Sequence, residues 1–204
     1  MQSIHLSGLF VQPIADRVRI WNEEGKLDEG ELDRTLSPDA RALVDHSIGT
    51  GDWVPMRDVE GLIGLVAEQL GGETGLVEWA EEVVASWEGE EEIVRLLRSG
   101  RSLTDAPGFL VSQAAGMLLR DADWFYEGGW SAFSVRIRGL HGASLALKAL
   151  LGALLARLAI ARGGRGFDVR FDGIDGDDLL VFGEVPSDEN ARGESRLHRA
   201  ALVG

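Results

Sequence analysis

Residues 124–138 read WFYEGGWSAFSVRIR, residues 143–161 read ASLALKALLGALLARLAIA, and residues 167–185 read FDVRFDGIDGDDLLVFGEV. In the first stretch, Trp124-Phe125-Tyr126 and the alternating Phe133, Val135 and Ile137 are β-type runs. They are parted by Gly128-Gly129, a dipeptide that tolerates the positive φ a two-residue hairpin requires. The second stretch is too long for a strand and is built of strong helix formers. As a helix it spans about 28 Å at roughly 1.5 Å per residue, near the thickness of a bilayer. Lys148 and Arg157 lie inside it, and the strands around it need a packing partner, so it reads as a core helix crossing a sheet. In the third stretch Phe167, Val169 and Phe171 alternate with Asp168, Arg170 and Asp172, the period of a half-buried strand. Leu179 to Val185 returns beside it across the acidic turn Gly173 to Asp178. The order is ββαββ, which predicts a four-stranded antiparallel sheet carrying one long helix on one face.

Upstream, the pattern changes to helical periods. Ser3 to Gln12 reads as a first strand ended by Pro13, followed by a short helix from Ile14 to Asn22. The acidic segment Glu23 to Asp33 reads as exposed. Ser37-Pro38 places an N-cap serine before a first-turn proline and starts a helix over Asp39 to Ile48. Val59, Leu62, Ile63, Val66 and Leu70 form a helical stripe that Gly71-Gly72 ends. Leu76, Ala80, Val83, Val84 and Trp87 repeat that stripe, Ile93, Leu96 and Leu97 begin a short helix, and Pro107 to Asp121 forms another with Leu110, Val111, Ala114, Ala115 and Leu118 inward. The fold class predicted is therefore α+β: a single domain over 1–186, with a helical half 1–121 packed on a ββαββ half 122–186. Residues 187–204, polar and charged, read as a flexible tail.

Composition narrows the function. The chain of 204 residues is 45% hydrophobic and 26% charged, within the globular range. Asp plus Glu number 34 against 20 Lys plus Arg, a formal charge of -14. Such a surface repels phosphate backbones and anionic lipid, so no nucleic acid and no membrane surface is expected as a partner, and the charges inside the long helix leave no membrane span expected either. Cysteine is absent, which excludes a disulfide framework and fits the cytoplasm. Met1 to Val11 has no basic region followed by a long apolar core, so no secretory signal is expected.

The Gly-bearing first strand, the helical stretch, Asp52-Trp53-Val54-Pro55 leading into a helix that ends at Gly71-Gly72, and the ββαββ unit together resemble a myxobacterial-type domain family of unknown function. That family is similar in layout to heme-NO-binding and 4-vinyl-reductase-type ligand-binding domains. The resemblance spans roughly residues 3 to 186. It implies a sensory or adaptor role and a pocket between helices and sheet for a small hydrophobic ligand or heme. The Tyr-x-Ser-x-Arg motif that grips heme propionates in such relatives is missing here, as is a cysteine cluster. No cofactor is expected, heme included.

Candidate chemistry is sparse. His141, between glycines at the start of the long helix, is placed to meet a cofactor or act as a base. His5, His46 and His198 show no metal-ligand spacing. Arg136 and Arg138 share a strand face with Trp130 and oppose Phe133, Val135 and Ile137; their guanidinium forks match planar anions. Asp172 to Asp178 lacks the ligand pattern of a calcium loop and reads as a solvated turn. The glycine runs at 71–75 and 163–166 follow helices, whereas phosphate loops precede them. Trp124, Tyr126 and Trp130 flank the hairpin and suit a pocket mouth or partner surface.

These features lead to a non-enzymatic sensory or adaptor domain that binds a small hydrophobic ligand or a protein partner. Its expected surface is Trp124, Tyr126, Trp130, Arg136, Arg138 and His141. The alternative is an assembly protein without a ligand, forming a homo-oligomer through the 143–161 helix and the aromatic hairpin. An enzyme would require His141 to converge with Glu127 or Asp123.

Overall fold

Strand β1 (His5–Ser7) covers only part of the first strand predicted over Ser3 to Gln12, and helix α1 (Gly8–Glu23) takes over the rest together with the helix predicted from Ile14 to Asn22. Leu9, Phe10 and Val11 join Ile14, Val18 and Trp21 in the core, so the run that resembled a strand is a helical face. Pro13 lies within this helix. It has no N–H for the Leu9 carbonyl four residues back, a defect that costs about 3 kcal/mol in a helix interior. The indole Nε1 of Trp87 donates to that carbonyl at 3.1 Å from 78 residues away. The start of α1 is pinned as well: the Gly8 N–H donates to the Asp52 carbonyl at 2.8 Å, and Gln12 Oε1 accepts from the Ile48 N–H at 2.6 Å.

This computed structural model describes residues 4–87, 107–129, 131–163, 168–173 and 176–184. The expected helix at Ile93 to Leu97 and the tail 187–204 lie outside them. The acidic segment after α1 is not simply exposed: helix α2 (Glu29–Thr35) follows it, with Leu27 and Leu32 buried. Helix α3 (Pro38–Asp45) begins as the sequence predicts, Ser37 Oγ accepting from the Ala40 N–H at 3.1 Å, and ends at Asp45 rather than Ile48. Strand β2 (Trp53–Pro55) leads into α4 (Met56–Gln69), which buries Val59, Leu62, Ile63 and Val66. Gly71 and Gly72, at φ 83 and 91, turn the chain into α5 (Glu73–Ser86).

Helix α6 (Pro107–Leu118) buries Leu110, Val111, Ala114, Ala115 and Leu118 and runs into β3 (Leu119–Arg120). Strands β2, β1 and β3 form a small antiparallel sheet in that order, with His5 opposite both Pro55 and Arg120. Asp121 then takes a left-handed conformation, φ 68, which Asp tolerates better than most residues. The chain leaves for the second sheet from there.

That second sheet is the predicted ββαββ unit: β4 (Asp123–Gly128), β5 (Ala132–Arg138), helix α7 (Leu145–Gly163), β6 (Asp168–Asp172) and β7 (Leu179–Glu184). Its order is β4-β5-β7-β6, antiparallel throughout. The hairpin connection is residues 129–131, not a two-residue Gly128-Gly129 turn. Gly128 belongs to the strand opposite Phe133, and the Gly129 N–H donates to the Ala132 carbonyl at 2.8 Å. A Cβ on Gly128 would stand 2.4 Å from that same carbonyl oxygen, so the close approach of the two chains requires glycine there.

Every apolar side chain of α7 from Leu147 to Ala159 is buried, covered by α5, α6 and the sheet. A helix apolar all round belongs in a core, and of the surface expected to meet a partner copy through residues 143–161 the exposed large hydrophobic is Leu145, at the start of the helix. One continuous apolar cluster joins Ile4 to Val181 across both halves of the chain. No helix among the described residues is long and apolar enough to cross a membrane.

Candidate functional site: the helix–sheet layer and the β4 edge

Antiparallel register decides which side chains share a face. Trp124 stands opposite Ile137, Tyr126 opposite Val135, and Gly128 opposite Phe133; these continue onto Leu179, Val181 and Gly183 of β7. This face is the one that α6 and α7 cover. Asp123, Phe125 and Glu127 lie on the other face, opposite Arg138, Arg136 and Ser134. The residues expected to form one surface are therefore split by the sheet: Trp124 and Tyr126 on the helix side, Arg136 and Arg138 on the open side. Trp130 lies outside the described residues.

On the helix side, aromatic rings fill glycine notches. A Cβ at Gly108 of α6 would fall 2.5 Å from Tyr126 and 2.6 Å from Phe133; one at Gly116 would fall 2.9 Å from Trp124; and one at Gly152 of α7 would fall 2.6 Å from Phe171. At these three glycines the helices approach the sheet so closely that the rings occupy the space a Cβ would take. Tyr126 also meets Phe109 edge-on, ring centroids 6.5 Å apart, and its hydroxyl donates to the Gly128 carbonyl at 3.1 Å. Burial pushes its phenol above the ordinary 10.0.

The open face is mixed in sign rather than basic. Arg136 and Arg138 stand 3.9 and 3.8 Å from the same Asp178 carboxylate, and the Arg138 guanidinium lies 4.7 Å over the Phe125 ring. Asp168 holds Arg170 by a 2.6 Å hydrogen bond, which with its charge raises the Arg170 pKa. An anion would have to displace these carboxylates from guanidinium groups that are already engaged.

His141 sits in the β5–α7 loop, its Nδ1 3.0 Å from the Asp177 carboxylate with both side chains exposed; Asp123 and Glu127 belong to β4, and the pairing holds Asp123 opposite Arg138 instead. His5 contacts Asp121 at 3.2 Å, and exposed His46 places Nδ1 2.9 Å from the Ala42 carbonyl. No group of His, Asp and Glu side chains among the described residues forms a metal site. The described core holds one charged residue, the Lys148 that the sequence places inside the long helix: it is 5% exposed, and its ammonium donates to the Gly176 carbonyl in the β6–β7 turn. Phe125 and Phe109 were passed over as site residues, though both are exposed aromatics beside Trp124 and Tyr126.

No family model matches this sequence, and no curated protein matches it. Solved structures do. The Fe(II) unliganded H-NOX protein of K. algicida superposes with a TM-score of 0.57 at 12% identity, covering 90% of this chain and 98% of that one. An alanine-to-glycine mutant of it gives 0.58 at 12% identity, with 92% and 100% covered. An isoleucine-to-phenylalanine mutant of the T. tengcongensis H-NOX gives 0.51 at 13% identity, with 89% and 98% covered. The chain has an H-NOX-like α+β fold.

Proposed function

We propose that this chain is a non-enzymatic sensory or adaptor domain of the cytoplasm, an H-NOX-like fold that carries no heme and acts by engaging a protein partner. The observation behind this reading is the packing between α6, α7 and the sheet, where Trp124, Tyr126, Phe133 and Phe171 occupy glycine notches. A small hydrophobic ligand in that layer would have to drive those rings out, so the partner is preferred to the ligand. The kinship with myxobacterial-type domains belongs to the same proposal.

The donor set does not fit heme. Its iron takes an axial histidine, thiolate, tyrosine or methionine paired with histidine. Cysteine is absent and Tyr126 is the sole tyrosine, with its hydroxyl on Gly128. His5, His46 and His141 are engaged outside the apolar cluster, and His198 lies outside the described residues. The side chains buried within the described core that are polar are Ser7, Ser112 and Lys148. As to enzymatic activity, the open His141–Asp177 pair gives an imidazole no sheltered orienting partner of the kind a general base needs.

The test is native mass spectrometry with visible absorption on protein purified from its own host, then titration of the protein with hemin in the presence and absence of dithionite. The expected results are the bare chain mass and no stoichiometric Soret band. A one-to-one heme complex would overturn the proposal, and a different bound small mass would replace the partner with that ligand.

A further inference from the structure

Strand β4 is an edge of the second sheet, and most of its residues are exposed. β4 is the first strand of the order β4-β5-β7-β6, and its only described neighbour is β5. Pairing runs without a bulge from Asp123 opposite Arg138 to Gly128 opposite Phe133. The far side of β4 therefore presents a row of backbone N–H and C=O groups, a ready template for another strand. Natural edges are blunted by proline, lysine, bulges or cover; β4 has none of the first three, and Trp124 is 37% and Phe125 50% exposed. The opposite edge differs. In β6, Asp168, Arg170 and Asp172 alternate with Val169 and with Phe171, which packs against α7 at Gly152.

We propose that a partner protein docks here by adding an extended segment beside β4 as a fifth strand, and that the segment carries basic residues flanking a short apolar run. This rests on the adaptor reading above and names its partner's chemistry. Charge carries the choice of occupant. Asp123 and Glu127 flank Phe125 on one face of β4, both exposed, and neither makes an ion pair among the described residues. An added strand sets a residue opposite each: basic opposite Asp123 and Glu127, apolar opposite Phe125. The two positions between them fall beside Trp124 and Tyr126 on the other face, where Phe109 already meets Tyr126. The pattern recognised is basic, three apolar, basic. Cross-strand pairs of opposite charge are favourable and like charges directly opposite are not.

A second copy of this chain is the poorer occupant. Pairing β4 with itself so that Phe125 faces its own copy sets Asp123 opposite Glu127 twice, between molecules of net charge -14 each. That same charge draws a basic segment in from a distance.

The experiment uses the full chain and a fluorescein-labelled peptide containing Lys-Val-Phe-Val-Lys, with binding read by anisotropy. Two further peptides accompany it: one with glutamates in place of the lysines, and one N-methylated on the backbone edge that would face β4. The cationic peptide should bind and the N-methylated one should not. The surface variant Asp123→Lys/Glu127→Lys, its fold checked by circular dichroism, should bind the cationic peptide about ten-fold more weakly and bind the glutamate peptide instead. Equal binding of the two unmethylated peptides, insensitivity to N-methylation, or a dimer that the peptide does not dissociate would each overturn the inference. Uptake of heme would sink the adaptor reading whatever the peptide does. A heme-free protein that ignores the cationic peptide sinks the edge-strand inference alone.

Discussion

Replacing Trp87 with phenylalanine keeps a ring in a site that is 2% exposed but removes the indole N–H from the Leu9 carbonyl. That carbonyl is one Pro13 leaves without its helical donor, so the substitution strands a buried acceptor. Stranding one costs about 1–3 kcal/mol. The smaller ring adds about 1 kcal/mol, from about 24 cal/mol per Å³ over a cavity of roughly 40 Å³. Trp87→Phe should therefore destabilise by about 2–4 kcal/mol, a large share of a marginal total. The companion change Pro13→Ala restores an N–H four residues after Leu9, where it can donate to the same carbonyl. In the double variant the stranding part should vanish and the cavity part remain, giving a favourable coupling of about 1–3 kcal/mol between two residues far apart in sequence. Urea unfolding followed by far-ultraviolet circular dichroism, which ignores the altered tryptophan emission, measures all four corners of the cycle. If the two changes add to within about 0.5 kcal/mol, the indole is not standing in for the missing donor and the account of α1 fails.

Glycine to alanine inside a helix ordinarily stabilises by about 1 kcal/mol. Gly64 of α4 has nothing within 4 Å of an added Cβ and should follow that rule, whereas Gly152 of α7, with Phe171 at 2.6 Å, should reverse it and destabilise by about 1–3 kcal/mol; thermal unfolding of both single variants decides. Tyr126 is the sole tyrosine, so ultraviolet tyrosinate absorbance reads it alone. Its midpoint should lie above 10.0 in the folded protein and return to the ordinary value in denaturant. Because the folded pKa is the raised one, the stability this group contributes is intact below the unfolded value and is lost as pH rises through the folded one.

The sequence was legible where one local pattern sufficed. The stripe Val59, Leu62, Ile63, Val66 and the Ser37-Pro38 start needed no partner to be read, and the alternation around Phe133 and Val169 already gave the ββαββ order. It was illegible where a distant group decides. Leu9-Phe10-Val11 before a proline has the look of a strand, and the indole that takes up the Leu9 carbonyl belongs to Trp87, 78 residues away. Helix α2 hid because its face rests on a few leucines among acids. For the site, alternation separated Arg136 and Arg138 from Phe133, Val135 and Ile137 as observed. Which face α6 and α7 would cover is a tertiary fact, and so Trp124 and Tyr126 were grouped with arginines that lie across the sheet. Strand order, equally absent from local pattern, is what turns Phe125 from one more aromatic into an edge residue.

Lys148 gives the molecule a property unrelated to recognition. The sequence has two lysines, Lys26 and Lys148; the first is mostly exposed, while the second is shut inside α7 with its ammonium on the Gly176 carbonyl. Amine-directed acylation of the folded chain is thereby confined, among side chains, to Lys26. Modification of Lys148 waits for α7 to part from the β6–β7 turn, so the rate at which that one amine reacts is a clock for the opening of the core.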